Sequence, residues 1–390
     1  MVETGLTHSD LELTIDGWML RFPAVWLRDN CPCPDCVAPG TTQKINDITD
    51  MPNGVAITHA ARADDSVTVT FAPDQHQATF ARSWLAAHAP RDGSGADNSK
   101  TAGVDADDRA EDAKALWLAA DLAPETSRFP GADWQRYLGE PAERIRALEA
   151  VLRLGFVLLR GVPAEPGTVL EVAASFGFVR ETNYGRLFDI RVEPAPGNLA
   201  YTSRAIRPHT DNPYRDPVPT VQLLHCLRAA GQGGETGLVD GFAAAAALRA
   251  SDPASFGTMA GTPASFGYVD KETVLRACQP LIELSPRGRV RGVRFNNRSM
   301  GPLRGSYAGI SAFYAAYRRW AELLAEPGRQ LNLRLAPGDC LVFDNTRVLH
   351  ARTAFSMSAG SPGRHLQGCY ADLDGLASTL AILKRGEESS

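Results

Sequence analysis

Apolar and polar positions alternate in short stretches near the start of the chain: Leu11 to Ile15 and Ser66 to Phe71 each read as a strand, with Pro, Gly and Asp turns between such runs. This pattern predicts a small β domain over residues 1–90. It stops at 91–113, where the stretch RDGSGADNSKTAGVDADDRAED offers almost nothing large and apolar to bury, so a flexible linker or insertion is expected. Beyond it, Ile145, Leu148, Val151 and Leu152 recur at helical spacing within Pro141 to Leu154, and Thr168 to Phe176 is similar. Strands then dominate. Val221 to Leu227, Thr236 to Val239, Val290 to Phe295, Leu331 to Leu335, Cys340 to Phe343 and His365 to Tyr370 are short β segments, with a turn at Ala336 to Asp339. Helical stretches at Ala243 to Ala250 and Ser311 to Glu326 interrupt them. Many short strands with a few helices predict a mainly β fold with helices: a double-stranded β-helix (jelly-roll) over 114–390, beside the small N-terminal β domain.

At 390 residues the chain exceeds the roughly 250 to 300 residues at which single cores stop growing, which fits two domains. The composition, 44% hydrophobic and 22% charged, is that of an ordinary globular protein, and a net charge of −5 gives no electrostatic reason to expect nucleic acid or a membrane as partner. No run approaches the roughly 18 to 20 apolar residues of a membrane span, and Met1 to Asp10 has neither a basic nor an apolar stretch. A cytoplasmic location is the expectation. Seven cysteines, three of them at Cys31, Cys33 and Cys36, are not laid out like a secreted disulfide framework; clustered thiols in reducing surroundings point to metal.

The segment Arg207-Pro-His-Thr-Asp-Asn-Pro-Tyr214 places His209 and Asp211 two apart, so an extended chain projects both to one side, where they could share a metal. A third ligand must come from elsewhere, and Phe343-Asp-Asn-Thr-Arg-Val-Leu-His350 offers His350. Two imidazoles and a carboxylate form the facial set that leaves three positions on non-haem Fe(II) for a chelating cosubstrate and dioxygen. Arg364, fourteen residues past His350, could pair with the distal carboxylate of 2-oxoglutarate. A His-x-Asp alone recurs by chance; the ordered series His-x-Asp, Gly233-Gly-Glu-Thr236, His350, Arg364 is far harder to reach that way. In the first domain, Cys31-x-Cys33-x-x-Cys36 supplies three thiolates in a loop too short for an unstrained disulfide but suited to three corners of a tetrahedron. Simple buried thiols are the alternative.

These segments resemble the γ-butyrobetaine hydroxylase family, within the wider taurine-dioxygenase-like oxygenases, over close to the full chain. The resemblance runs through Trp26-Leu-Arg-Asp-Asn-Cys-Pro-Cys-Pro-Asp-Cys36, Val221-Gln-Leu-Leu-His-Cys226, Gly237-Leu-Val-Asp-Gly-Phe242 and Gln367-Gly-Cys-Tyr-Ala-Asp-Leu-Asp374. It implies an Fe(II)- and 2-oxoglutarate-dependent hydroxylase, supported by ascorbate, with His209, Asp211 and His350 as iron ligands and Thr236 and Arg364 contacting 2-oxoglutarate. It also implies a structural zinc site on Cys31, Cys33 and Cys36, closed by the His76 of Pro73-Asp-Gln-His76; His59 and His88 compete for that corner. A homodimer, whose small domain helps cover a neighbour's active site, is the implied assembly.

A quaternary ammonium cannot donate a hydrogen bond, so proteins hold it against aromatic faces. The resemblance maps such a cage onto Tyr184, Phe188, Tyr201 and Tyr370, and maps Asn198 and Asn297 onto positions that read the substrate's acidic end. Any one of the aromatics could instead be plain core. Here the chain departs from the γ-butyrobetaine pattern: Asn212 follows the metal-binding Asp, and Arg298 follows Asn297. Added donors and a fixed cation suit a dianionic phosphonate, although Arg298 reads equally as a surface charge. The expected substrate is therefore 2-(trimethylammonio)ethylphosphonate, hydroxylated beside phosphorus, with γ-butyrobetaine, giving carnitine, next. A non-catalytic ligand-binding β-helix protein is the rival from another class, and the complete metal set argues against it. A zinc-finger-like nucleic-acid module fails on charge.

Overall fold

The computed structural model describes residues 6–7, 9–15, 17–37, 45, 51–52, 54–88, 114–192, 203–303, 306–356 and 363–388. The linker expected at 91–113, and the candidates Asn198 and Tyr201, lie outside them. The chain divides into two compact units, Met1–Arg109 and Ala110–Ser390.

In the first unit, two antiparallel three-stranded sheets form: Leu6–Thr7, Asp10–Ile15 and Trp18–Pro23, then Ala56–Arg62, Ser66–Ala72 and Gln77–Ala81. Alternation drives the burial, since Val67, Val69 and Phe71 face inward while Ser66, Thr68 and Thr70 do not. They share a core with Leu11, Phe22 and Phe80. The short helix Ala24–Asp29 leads directly into the cysteine cluster.

The second unit is mainly β with helices, arranged in layers. A four-stranded antiparallel sheet runs in the order Ile206–His209, Val348–Arg352, Thr236–Asp240, Gln330–Leu333. A six-stranded sheet runs Gly131–Asp133, Phe156–Arg160, Cys340–Asp344, Val221–Arg228, His365–Ala371, Phe188–Arg191, with only its first pair parallel. Leu224, Leu341 and Phe343 of the larger sheet pack with Leu238, Leu331 and Val348 of the smaller, so the two face one another across an apolar layer. The outer face of the larger sheet packs on helices Pro141–Leu154, Thr168–Ala174 and Leu373–Glu388; that of the smaller packs on Gly241–Ser251, Pro253–Gly261 and Tyr307–Leu324. Burial on both faces explains why neither Val221 to Leu227 nor His365 to Tyr370 alternates: the polar Gln222, His225, His365 and Gln367 are buried along with the apolar positions.

Local signals set several boundaries. Pro141 occupies the first turn of its helix, and Gly155, at φ +89°, ends it by donating to the Val151 carbonyl. The strand expected over Val290 to Phe295 stops at Val293, because Phe295 turns away to exchange hydrogen bonds with Thr210: Thr210 N to Phe295 O at 2.8 Å and Phe295 N to Thr210 Oγ1 at 3.0 Å. The strand expected over Leu331 to Leu335 likewise covers Gln330–Leu333. The hairpin Ala264–Val269/Val274–Gln279 was not foreseen.

The turn between Cys340–Asp344 and Val348–Arg352 is anchored from below. Arg347, fully buried, donates from Nε to Asp240 Oδ1 (3.1 Å) and from Nη2 to Asp240 Oδ2 (2.8 Å), and reaches the carbonyls of Arg153 (2.9 Å) and Ala115 (2.6 Å). Asp240 also caps the helix Gly241–Ser251 by accepting from Phe242 N. Removing one partner of a buried pair leaves the other charge uncompensated, so Arg347→Ala is expected to lower stability by about 3–5 kcal/mol, measured by urea unfolding.

Candidate active site

Strand register brings the distant motifs together. Ile206–His209 lies beside Val348–Arg352 with His209 directly opposite His350, and the ring centroids stand 4.2 Å apart. Asp211 lies just past the end of its strand, in a bend, so its convergence with His209 comes from that bend and not from the extended chain expected from sequence. Asn345 fixes the bend: Asp211 N donates to Asn345 Oδ1 (2.7 Å), and Asn345 Nδ2 donates to the carbonyls of Asp211 and Pro219, each at 3.0 Å.

His209, Asp211 and His350 form a group whose ligand atoms all lie within 4.8 Å of one another. His209 Nε2 is 3.4 Å from Asp211 Oδ1, and His350 Nε2 is 4.0 Å from Asp211 Oδ2. Adjacent corners of an octahedron with bonds of about 2.1 Å lie about 3 Å apart, so His209 Nε2 and Asp211 Oδ1, at 3.4 Å, need only a small inward movement to share one ion. His209 Nδ1 sits 2.9 Å from the Arg207 carbonyl, which places the proton there and leaves Nε2 free to coordinate. Burial and the neighbouring His209 push His350 down to about 3, so its imidazole is neutral. Burial opposes ionisation of Asp211, but the contact with His209 and the nearby His350 hold its carboxyl well below the usual range. Two imidazoles and a carboxylate suit a divalent non-haem metal.

These three groups open into a cavity of about 450 Å³. One wall carries Thr236, Arg352 and Arg364; Thr236 and Arg352 are cross-strand partners. Burial, followed by the neighbouring Arg364 and Arg298, pushes Arg352 down to about 10. Among the described lining residues, Asp211 is the sole acid against Arg298, Arg352 and Arg364, so the cavity attracts anions. Asn212 holds a left-handed backbone (φ +55°), and both polar atoms of its buried side chain lack a partner within the protein while lining this space.

Another wall is aromatic. Tyr184 and Tyr214 bond through their hydroxyls at 2.7 Å, Tyr268 stacks on Tyr214 at 5.0 Å, and Phe188 lies 5.1 Å from Tyr370. Burial raises the pKa of Tyr184, Tyr214 and Tyr268, so these phenols are neutral and their faces electron-rich. Phe188 fits only because its cross-strand partner is Gly368, where a Cβ would come within 2.6 Å of the ring.

Of the candidates read from sequence, Tyr184, Phe188, Tyr370, Asn212, Arg298, Thr236 and Arg364 all line the cavity. Asn297 is a correction. It is exposed and accepts from Tyr317 OH at 2.9 Å, while its neighbour Asn296, held by Thr210 O (3.2 Å), lines the cavity instead. Tyr370 also donates from its hydroxyl to Asp211 Oδ2 at 3.0 Å. Sequence reading missed Gln222, Asn345, Arg352, Tyr214 and Tyr268. A Gln inside the apolar run Val221 to Leu227 was a visible signal for the first; Tyr268 sits on the unforeseen hairpin and left none.

In the first unit, His76 Nε2 lies 3.2, 3.6 and 3.5 Å from the sulfurs of Cys31, Cys33 and Cys36. Tetrahedral zinc with S and N ligands has edges of about 3.5 Å, so the four groups have the right spacing. Arg28 Nη1 approaches Cys36 Sγ at 3.3 Å and pairs with Asp74 at 3.0 Å, supplying positive charge beside the thiols. Burial and Arg28 hold His76 below its usual pKa, keeping it neutral. His59 is exposed on its strand, and His88 stacks on Trp84 at 4.4 Å; neither joins the group.

Comparison with known proteins agrees. The model of the taurine catabolism dioxygenase TauD, TfdA family matches residues 117–370, and that of the γ-butyrobetaine hydroxylase-like N-terminal region matches 7–86. The γ-butyrobetaine dioxygenase of Pseudomonas sp. (strain AK-1) is 35% identical over 370 residues, covering 95% of this chain and 92% of that protein. The trimethyllysine dioxygenase of Meyerozyma guilliermondii is 27% identical over 398 aligned residues, covering 100% and 97%. An asparagine oxygenase structure aligns with TM-score 0.48 and 19% identity, covering 68% of this chain and 90% of that one. The matched family and relatives define a dioxygenase dependent on Fe(II) and 2-oxoglutarate. Within that class the chain belongs to the γ-butyrobetaine hydroxylase family.

The fit of Phe188 over Gly368 makes a direct prediction. Gly368→Ala overpacks this position and is expected to cost about 1–3 kcal/mol in urea unfolding. Pairing it with Phe188→Leu should recover part of that loss, a non-additivity measurable in a double-mutant cycle.

Proposed function

We propose that this enzyme hydroxylates a small substrate with a trimethylammonium group at one end and an acid at the other, γ-butyrobetaine being the first candidate. The carrying observation is that one cavity joins the His209, Asp211 and His350 cluster to the aromatic wall of Tyr184, Phe188, Tyr214 and Tyr268. Aromatic faces hold a cation that cannot donate a hydrogen bond. The named relatives act as further support, and they reverse the order expected from sequence, in which the phosphonate came first. Asn212 and Arg298 favour the phosphonate as a second reading, because an unpartnered buried amide and a guanidinium both face the cavity.

In this reading His209, Asp211 and His350 hold iron. Thr236 and Arg364 bind the distal carboxylate of 2-oxoglutarate, with the guanidinium supplying two parallel donors. Iron, cosubstrate and dioxygen together supply the oxidising power that converts a C–H bond to C–OH. The chain's own work is placement: the aromatic wall seats the ammonium and the arginines hold the anions, so one C–H bond is presented to the metal face. The two facing sheets correspond to the halves of a double-stranded β-helix, and Cys31, Cys33, Cys36 and His76 close a structural zinc site with no free position.

Two measurements test this. Succinate release with Fe(II), ascorbate and 2-oxoglutarate should rise at least tenfold with γ-butyrobetaine and fall to background in His209→Ala; stimulation by the phosphonate alone would favour the second reading, and by neither would reject the substrate class. Metal analysis should find one zinc and one iron per chain, with Cys33→Ser losing only zinc and His209→Ala only iron.

A further inference from the structure

Asp211 has two oxygens, and the protein treats them differently. Oδ1 faces His209. Oδ2 already accepts two hydrogen bonds, from Gln222 Nε2 at 2.8 Å and from Tyr370 OH at 3.0 Å. A carboxylate oxygen has about two lone-pair sites, so Oδ2 has no site left for a metal. The two donors are not incidental neighbours. Gln222 and Tyr370 are directly opposed on adjacent strands of the six-stranded sheet, and both are buried. Cross-strand partners project to the same face, so register alone sets the pair side by side beneath the carboxylate. Asn345 grips the backbone of the same residue on its N–H and its C=O, which stops the carboxylate from rotating by a shift of the main chain.

We infer that Gln222 and Tyr370 are positioning residues that confine Asp211 to one-oxygen coordination. The inference rests on the reading of Asp211 as an iron ligand. Its consequence is arithmetical. Two imidazoles and one carboxylate oxygen leave three of six positions free, two for a chelating 2-oxo acid and one for dioxygen. A carboxylate that closed on the metal with both oxygens would take one of those three. Tyr370 also lies against Phe188 on the aromatic wall, so one side chain touches both the substrate's seat and the metal's carboxylate.

The test uses Mn(II) as the probe in the full-length protein without cosubstrate, and counts metal-bound waters from EPR line broadening in ¹⁷O-enriched water. The variants are Tyr370→Phe, Gln222→Met and the pair together; the first keeps the ring and removes one hydroxyl. Wild type should carry three waters. The double variant, or Tyr370→Phe alone if the pair does not fold, should carry fewer, with kcat down about 10- to 100-fold and substrate KM changed less than about threefold. Three waters retained in a folded variant overturn the inference. If His209→Ala binds Mn(II) as wild type does, the ligand reading itself fails, a separate result.

Discussion

One strand register carries the chemistry of this enzyme. His209 and His350 are far apart in sequence and meet because their strands are opposed at those two residues. Side chains on a strand alternate with a period of two, so a slip of one residue would turn either imidazole to the other face. The register is therefore fixed from several sides. Asn345 ties the bend after His209 to the turn before His350, and Arg347, two residues on from that amide, sinks the same turn into a buried pair with Asp240. The metal-binding face and the core beneath it are parts of one arrangement.

Much of this was legible in the chain. The helix Pro141–Leu154 announced itself by its apolar spacing, its proline at the start and the glycine after its end. The strand Val221–Arg228, in the middle of the larger sheet, was readable because burial on both faces leaves it mostly apolar. The metal set was readable as an ordered series of short motifs. What stayed hidden depends on long-range pairing or on fine local geometry. Gln222 and Tyr370 become a pair only through sheet register. Asn296 and Asn297 are indistinguishable in sequence; the turn that binds Thr210 decides which amide reaches the cavity. Tyr268 arrives on a hairpin whose exposed Val269 and Val274 give it little apolar signature.

The electrostatics of the cavity follow from its lining. Three guanidiniums with one carboxylate would be an unfavourable grouping in an apolar surround, and burial of Arg352 and Arg364 weakens their hold on their protons. The anionic cosubstrate 2-oxoglutarate complements that positive set. The aromatic wall is built from neutral groups, so one cavity presents a cationic and an electron-rich surface side by side.

Arg347 has a further bearing on where this catalytic unit begins. Its guanidinium accounts for the carbonyl of Ala115 as well as that of Arg153, and Trp117 N donates to the same Asp240. Ala115 lies two residues ahead of the stretch that the dioxygenase family model recognises. A shortened chain cut at that recognised edge would retain every residue with a chemical role, yet leave a buried guanidinium donor with no acceptor beneath the turn that delivers His350. The physical edge of the unit is set by hydrogen-bond accounting, and it falls outside the edge set by sequence similarity.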